Sequence, residues 1–373
     1  MIGFVIGRIL VTEAALLALP LIVALLYGEA AYPFLIPMAL LVLIGLLLGV
    51  RRPARTALYA RDGLAIVALA WIAVSAFGAL PFVISGDIPF YVDAFFETVS
   101  GFTTTGASIL TEVESLSRGG LFWRSFTHWV GGMGVLVFVM AILPMSDGHG
   151  MHIMRAEVPG PTVGKLVSRM SDTAKILYGI YLALTLVEIV LLLAGGMPLF
   201  DACIHSFGSA GTGGFSCRNL SVGAYQNPYF DIVIGIFMLL FGVNFNLYYF
   251  LLIRRFRDVF HSEELRSYLL IVAAAVVAIT VDIAHLYDSV STSLCHAFFQ
   301  VSSIITTTGI CHHGLQRLAD FLQGILVVLM FIGACAGSTG GGIKVARVVI
   351  LVKASYGDMR RMLHPNAVST VRF

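Results

Sequence analysis

Charge is what this chain has least of. Asp, Glu, Lys and Arg make up 12% of its 373 residues, roughly half the share found in soluble domains. A water-soluble globule of this length is excluded. The formal net charge is only +2, so there is no electrostatic footprint for nucleic acid. Cysteine is sparse and unpatterned: Cys203, Cys217, Cys295, Cys311 and Cys335 form neither a CxxC pair nor an even framework. They read as thiols packed in apolar segments, not as a disulfide or metal set. The histidines show no HExxH-type ligand spacing, and the adjacent pair His312–His313 reads as a loop. No GxSxG element stands near a membrane face and no charged cluster shares one depth. A membrane-embedded hydrolase is disfavoured, and the chain is not read as an enzyme.

What is there is apolar. Hydrophobic residues reach 58% and the mean hydropathy is +0.92. Residues 31–50 carry no charge at all, enough helix to cross about 30 Å of hydrocarbon. Similar runs at 3–27, 64–85, 121–143, 176–197, 229–253, 267–286 and 321–353 predict about eight spans and an all-α polytopic membrane protein. The first run contains Arg8 and Glu13 and is followed by no small-residue cleavage site, so it reads as a span and not a signal peptide. Seventeen of the 23 Lys and Arg fall in segments 51–63, 144–174, 254–266 and the tail from 344, against Arg118, Arg218 and Arg317 in the alternate connections. The positive-inside rule puts the first set, and both termini, in the cytoplasm. The outer connections carry Asp87, Asp93, Glu97, Glu112, Glu114, Asp201 and Asp288, which reads as a cation-attracting mouth. Asp93 and Asp201 also suit helix N-termini. Arg124 and His128 share one face near the outer end of their span, where snorkelling is expected.

The polarity that does exist is repeated. "AFFETVSGFTTTG" at 94–106 returns as "AFFQVSSIITTTG" at 297–309, and a weaker copy, "DACIHSFGSAGTGGFS", occupies 201–216. Each copy follows an outward span, begins with a half-length amphipathic stretch, ends in a Thr/Gly segment and leads into a returning span. The unit is helix, short re-entrant helix, polar loop, helix. Irregular backbone at membrane depth survives only where protein buries it or water bathes it. Glycine permits the positive φ that turns a carbonyl inward, and threonine hydroxyls add oxygen acceptors. A ring of such oxygens replaces the hydration shell of a monovalent cation, with the C-terminal end of each short helix aimed at it.

"SGFTTTGAS", "SAGTGGFS", "ITTTGI" and "GACAGSTGGGIK" together resemble the Trk/Ktr/HKT superfamily of potassium transporters, most closely its bacterial TrkH-type pore subunits. The resemblance implies two leading helices (1–63) and M1–P–M2 units at 64–174, 175–266 and 267–373 around one central pore. It implies filter strands Thr103, Thr104, Thr105, Gly106; Gly211, Thr212, Gly213, Gly214; and Thr306, Thr307, Thr308, Gly309, with potassium at these residues. Glycine at 106 goes with potassium in the family, and serine there with sodium in some plant relatives. It further implies potassium as substrate, no bound cofactor, a homodimer, a cytoplasmic nucleotide-binding regulatory subunit of TrkA/KtrA type, and residence in the inner membrane.

Gly337–Gly342 has the spacing of a phosphate loop, but Ile343 stands where Lys is required and no strand precedes it. Nucleotide binding is excluded there. A glycine-packed helix crossing is one reading. The family implies another, an intramembrane gate formed by Gly337, Ser338, Thr339, Gly340, Gly341 and Gly342, and the glycine density disfavours continuous helix. Lys344 either snorkels to the cytoplasmic face or sits near the pore. One departure from the family stands out: the filter glycines 106, 214 and 309 recur about every hundred residues, and a fourth falls past Phe373. A C-terminally truncated chain is therefore expected, with a sodium-conducting or ion-coupled member and a non-conducting remnant as alternatives.

Overall fold

The computed structural model describes residues 2–49, 60–134, 170–287, 289–310 and 320–363. Among these residues there are helices and loops and no strand, the all-α membrane architecture that the composition requires. Helices α1 (Ile2–Leu16) and α2 (Ala18–Leu26) join at Leu17 into one span of 25 residues. α3 (Tyr32–Gly49) returns beside them. Gly7 and Gly45 set that crossing: a Cβ on Gly7 would lie 2.7 Å from the Gly45 carbonyl, and one on Gly45 2.8 Å from that of Gly7. Small residues bring two backbones into contact where hydrocarbon supplies no hydrophobic drive.

Three repeats follow. In the first, α4 (Ala60–Gly78) and α5 (Leu80–Ser85) form the leading span, α6 (Tyr91–Phe102) the short helix, and α7 (Arg118–Gly132) the described start of the returning span. The second has α8 (Met170–Ala194), α9 (Leu199–Gly211), α10 (Pro228–Phe241) and α11 (Phe245–Leu252). α12 (Phe256–His261) leads into the third, made of α13 (Glu263–Ile283), α14 (Val290–Ile305), α15 (Asp320–Ile332) and α16 (Val345–Leu363). The short helices are 12, 13 and 16 residues long, too short to cross a bilayer. Side chains start several helices: Ser117 accepts from the Gly120 N–H, Asn227 from Tyr229 and Ser262 from Leu265, each satisfying a backbone donor that has no partner inside the helix.

Five described helices, counting Ile2–Leu26 and Arg61–Ser85 as continuous, are long and apolar enough to span. One expected span is corrected: the run 229–253 breaks between α10 and α11 with a bend of 91°. The run 321–353 is interrupted by residues 333–344, between α15 and α16, where the glycine density disfavours helix. The span expected at 121–143 is described only to residue 134.

Candidate functional site

The three Thr/Gly segments adopt one backbone shape. Thr103 and Thr306 end their helices at φ −78° and −82°. Thr104, Thr212 and Thr307 then take φ of 55°, 54° and 59°, and Gly106, Gly214 and Gly309 take 76°, 80° and 74°. Residues 105, 213 and 308 between them are not in the left-handed region. Alternating the sign of φ turns successive peptide planes the same way, so neighbouring carbonyls share one side. Threonine holds the left-handed region only at a cost of about 1–2 kcal/mol. That strain recurs at the same place in all three copies, as it does where function imposes a geometry.

One backbone hydrogen bond is common to all three segments. The N–H of Thr105, Gly213 and Thr308 donates to the carbonyl of Ser100, Gly208 and Ser303 at 2.9, 3.0 and 2.9 Å. In the first and third copies the Ser100 and Ser303 hydroxyls donate to the carbonyls of Ala107 and Ile310, at 2.5 and 2.9 Å. In the second, Gly208 stands in place of that serine, and a Cβ there would lie 2.9 Å from the Phe215 carbonyl. Thr103 with Thr105, and Thr306 with Thr308, share hydroxyl bonds of 2.8 and 2.7 Å. The second copy has Gly211 and Gly213 instead. His128 of α7 takes the space: a Cβ on Gly213 would meet its ring at 2.4 Å. The ring stacks on Phe215 with centroids 3.9 Å apart.

The strands stand side by side in chain order. A Cβ on Gly106 would be 2.0 Å from the Gly213 carbonyl, and one on Gly214 2.1 Å from that of Thr308. One on Gly309 meets nothing within 4 Å among the described residues. At the other flank Thr103 and Thr105 are exposed, whereas Thr306 and Thr308 are buried. The returning spans of the first two repeats pack behind the next strand: His128 behind the second, and Gly242, whose Cβ would lie 3.1 Å from the Thr306 methyl, behind the third.

Residues 333–344 form a loop against Thr212 of the second strand and Thr307 of the third. Gly333, Gly337, Gly342 and Lys344 have positive φ, which ends any continuous helix, so the helix-crossing reading is set aside. The Thr212 hydroxyl donates to the Thr339 carbonyl at 3.0 Å, and the Gly341 N–H donates to the Thr307 hydroxyl at 2.7 Å. The bend between α10 and α11 faces the loop. Cys335 N–H donates to the Gly242 carbonyl at 3.0 Å, and Phe245 N–H to that of Gly337 at 3.1 Å. Two irregular backbones satisfy each other where neither could be left to hydrocarbon. Lys344 is buried and its ammonium donates to the Gly340 carbonyl inside the loop. It does not snorkel.

Sequence reasoning misplaced some charges and missed one partner. Arg124 and His128 are buried, not snorkelling. Glu97 pairs with Arg124 at 2.6 Å and is no mouth charge. Asp87 accepts from the Ser117 hydroxyl at 2.6 Å, and Asp201 from the Tyr225 hydroxyl at 2.6 Å. Asp93 and Asp201 lie in first helical turns without capping by side chain. The α10–α11 break was missed. Its signal was "GVN" at 242–244 inside an apolar run, a glycine and a helix-capping asparagine. Of the cysteines, Cys203, Cys217, Cys295 and Cys335 are free. Cys311, the His312–His313 pair and Asp288 lie outside the described residues.

Residues 33–373 match the family model TrkH, "Cation transport protein". The chain belongs to the TrkH family. It is 39% identical to a Trk system potassium uptake protein TrkH of Salmonella typhimurium, over 99% of this chain and 78% of that one. A Halomonas elongata protein of the same name is 34% identical over 100% of this chain and 78% of its own. The crystal structure of the potassium transporter TrkH from Vibrio parahaemolyticus superposes with a TM-score of 0.87 at 33% identity, covering 100% of this chain and 78% of that one. The TrkH match extends through the three strands and the loop, so the features described above lie inside the family region.

Proposed function

We propose that this TrkH-family chain takes part in potassium uptake across the cytoplasmic membrane. Thr103–Gly106, Gly211–Gly214 and Thr306–Gly309 serve as filter strands whose backbone carbonyls bind the dehydrated ion. The observation that carries the reading is the alternation of φ, repeated at equivalent residues of all three strands, since a carbonyl ring is how a protein replaces a monovalent cation's water. Residues Gly337–Gly342 act as a gate: their hydrogen bonds to Thr212 and Thr307 set the loop across the inner end of the filter. Potassium is the substrate, and this chain's own residues call for no further cofactor. The termini lie in the cytoplasm, a second copy completes a homodimer, and a TrkA/KtrA-type nucleotide-binding subunit docks on the cytoplasmic side. Rubidium uptake into proteoliposomes, competed by potassium but not sodium, tests the reading. Equal competition by both ions would favour the sodium-conducting alternative, and a dependence on an imposed proton or sodium gradient would favour the ion-coupled one.

A further inference from the structure

We propose that the buried Glu97–Arg124 pair is a positioning element for ion selectivity, clamping the outer end of the second filter strand to that of the first. The inference takes those strands to be the ion site.

Glu97 stands on α6 and Arg124 on α7. Their side chains are 0% and 4% exposed, with Nε 2.6 Å from Oε1. Each partner also holds one strand. The Glu97 carboxylate accepts from the Ser108 hydroxyl at 2.9 Å and from the Ile109 N–H at 3.1 Å. Arg124 donates to the Ser216 carbonyl at 3.3 Å, and its guanidinium lies 3.5 Å from the centre of the Phe215 ring. Ser108 and Ser216 are equivalent in the repeat, each two residues past its filter glycine. One ion pair therefore joins matching points on adjacent strands.

The second strand is the one that needs a brace from outside. It lacks the paired threonine hydroxyls of the other two and the serine that ties helix to strand, having Gly211, Gly213 and Gly208 at those places. Nor is the clamp a general feature of the fold. His205 and Gln300 occupy the Glu97 position in the other two short helices. Among the described residues, neither ring nitrogen of His205, and not the Gln300 Oε1, finds a hydrogen-bond partner. A buried ion pair contributes little net stability compared with apolar packing, because desolvation offsets the attraction. Its value here is directional: a guanidinium has fixed donor geometry, and a carboxylate accepts several bonds at once.

The test compares potassium and sodium binding, read as the rise in melting midpoint of detergent-purified 1–373 as each ion is titrated. Glu97→Gln and Arg124→Gln are each expected to narrow the potassium-to-sodium affinity ratio by about fivefold or more, and Ser108→Ala by about twofold. Both single neutralisations shift the ratio the same way, and Glu97→Gln/Arg124→Gln does not recover it. Arg124→Lys, which keeps the charge and loses the fork, falls between. An unchanged ratio in folded variants overturns the proposal, as does recovery in the double variant, which would mean that charge alone matters. If the Gln variants fail to fold, Ser108→Ala decides, and its unchanged ratio counts against the clamp. Potassium-preferring binding by the parent chain without flux speaks against transport and leaves the clamp to the ratio. Absence of any potassium preference in the parent overturns the clamp itself.

Discussion

The Thr307 hydroxyl accepts a hydrogen bond from the Gly341 N–H at 2.7 Å. It ties the third strand to the glycine-rich loop. Thr212 makes the matching link from the second strand, donating to the Thr339 carbonyl at 3.0 Å. Both threonines are left-handed residues. The conformation that aligns the carbonyls therefore also aims two hydroxyls at the loop.

If the loop is a gate, those bonds hold it shut. Thr212→Val and Thr307→Val each delete one bond worth about 1 kcal/mol net. Each is expected to raise rubidium uptake per folded molecule by roughly fivefold, with the two together near the product if the bonds act independently. The potassium-to-sodium flux ratio stays as in the parent. A drop in uptake with unchanged folding would remove the gate assignment.

Deleting two or three residues within Gly337–Gly342 pushes the same idea harder. The loop shares hydrogen bonds with the α10–α11 break, so a shorter loop cannot reach both that break and the Thr/Gly strands. Uptake should rise and selectivity should hold. Lower expression with no gain in flux per folded molecule would mark the loop as a structural plug.

Much of this was legible before any coordinates. Thr103–Gly106 and Thr306–Gly309 announced themselves because a polar string inside apolar sequence has few physical explanations, and its return at equivalent positions leaves fewer. The second strand was fainter, since "GTGG" has lost the side chains that carry a repeat. What replaced them, His128, sits on another helix, and no local pattern announces a partner so distant in sequence. The same holds for Glu97 and Arg124. Each was legible as a charge, but only packing brings α6 and α7 together and converts a mouth charge and a snorkelling arginine into a buried pair. The bend at Gly242–Asn244 hid because hydropathy averages over it. Gly242 and Asn244 weigh little in such an average against the apolar turns on either side.

Gly106 and Gly309 offer a matched comparison. Their φ values, 76° and 74°, impose the same strain on any side chain. Only Gly106 would also thrust a Cβ to 2.0 Å from a backbone carbonyl, that of Gly213. Gly309→Ser is therefore expected to cost about 1 kcal/mol of stability from backbone strain. Gly106→Ser must in addition part the first two strands, and is expected to lower the potassium-to-sodium ratio about tenfold, equivalent to about 1.4 kcal/mol. Ion-dependent melting measures both. Equal loss of selectivity in the two variants would show that strain, and not the strand-to-strand contact, controls the site.

The pairing of Gly213 with His128 allows a sharper experiment. A Cβ on Gly213 would fall 2.4–2.6 Å from the imidazole, a ring that is fully buried and stacked on Phe215. The ring cannot yield toward solvent, so Gly213→Ala is expected to destabilise the protein by about 2–3 kcal/mol, the cost of overpacking a closed site. His128→Ala removes a large buried ring and leaves a cavity, and on its own is expected to cost about as much. The two effects oppose each other in space. In the double variant Gly213→Ala/His128→Ala the new methyl group enters room the ring has vacated, so the combined loss should fall short of the sum by about 1–2 kcal/mol. Unfolding of the four proteins in detergent, monitored by tryptophan fluorescence, gives the cycle. Strict additivity would mean that the second strand shifts away from α7 when either residue changes. The histidine would then be a neighbour of the strand without being the filler of the space its glycines leave.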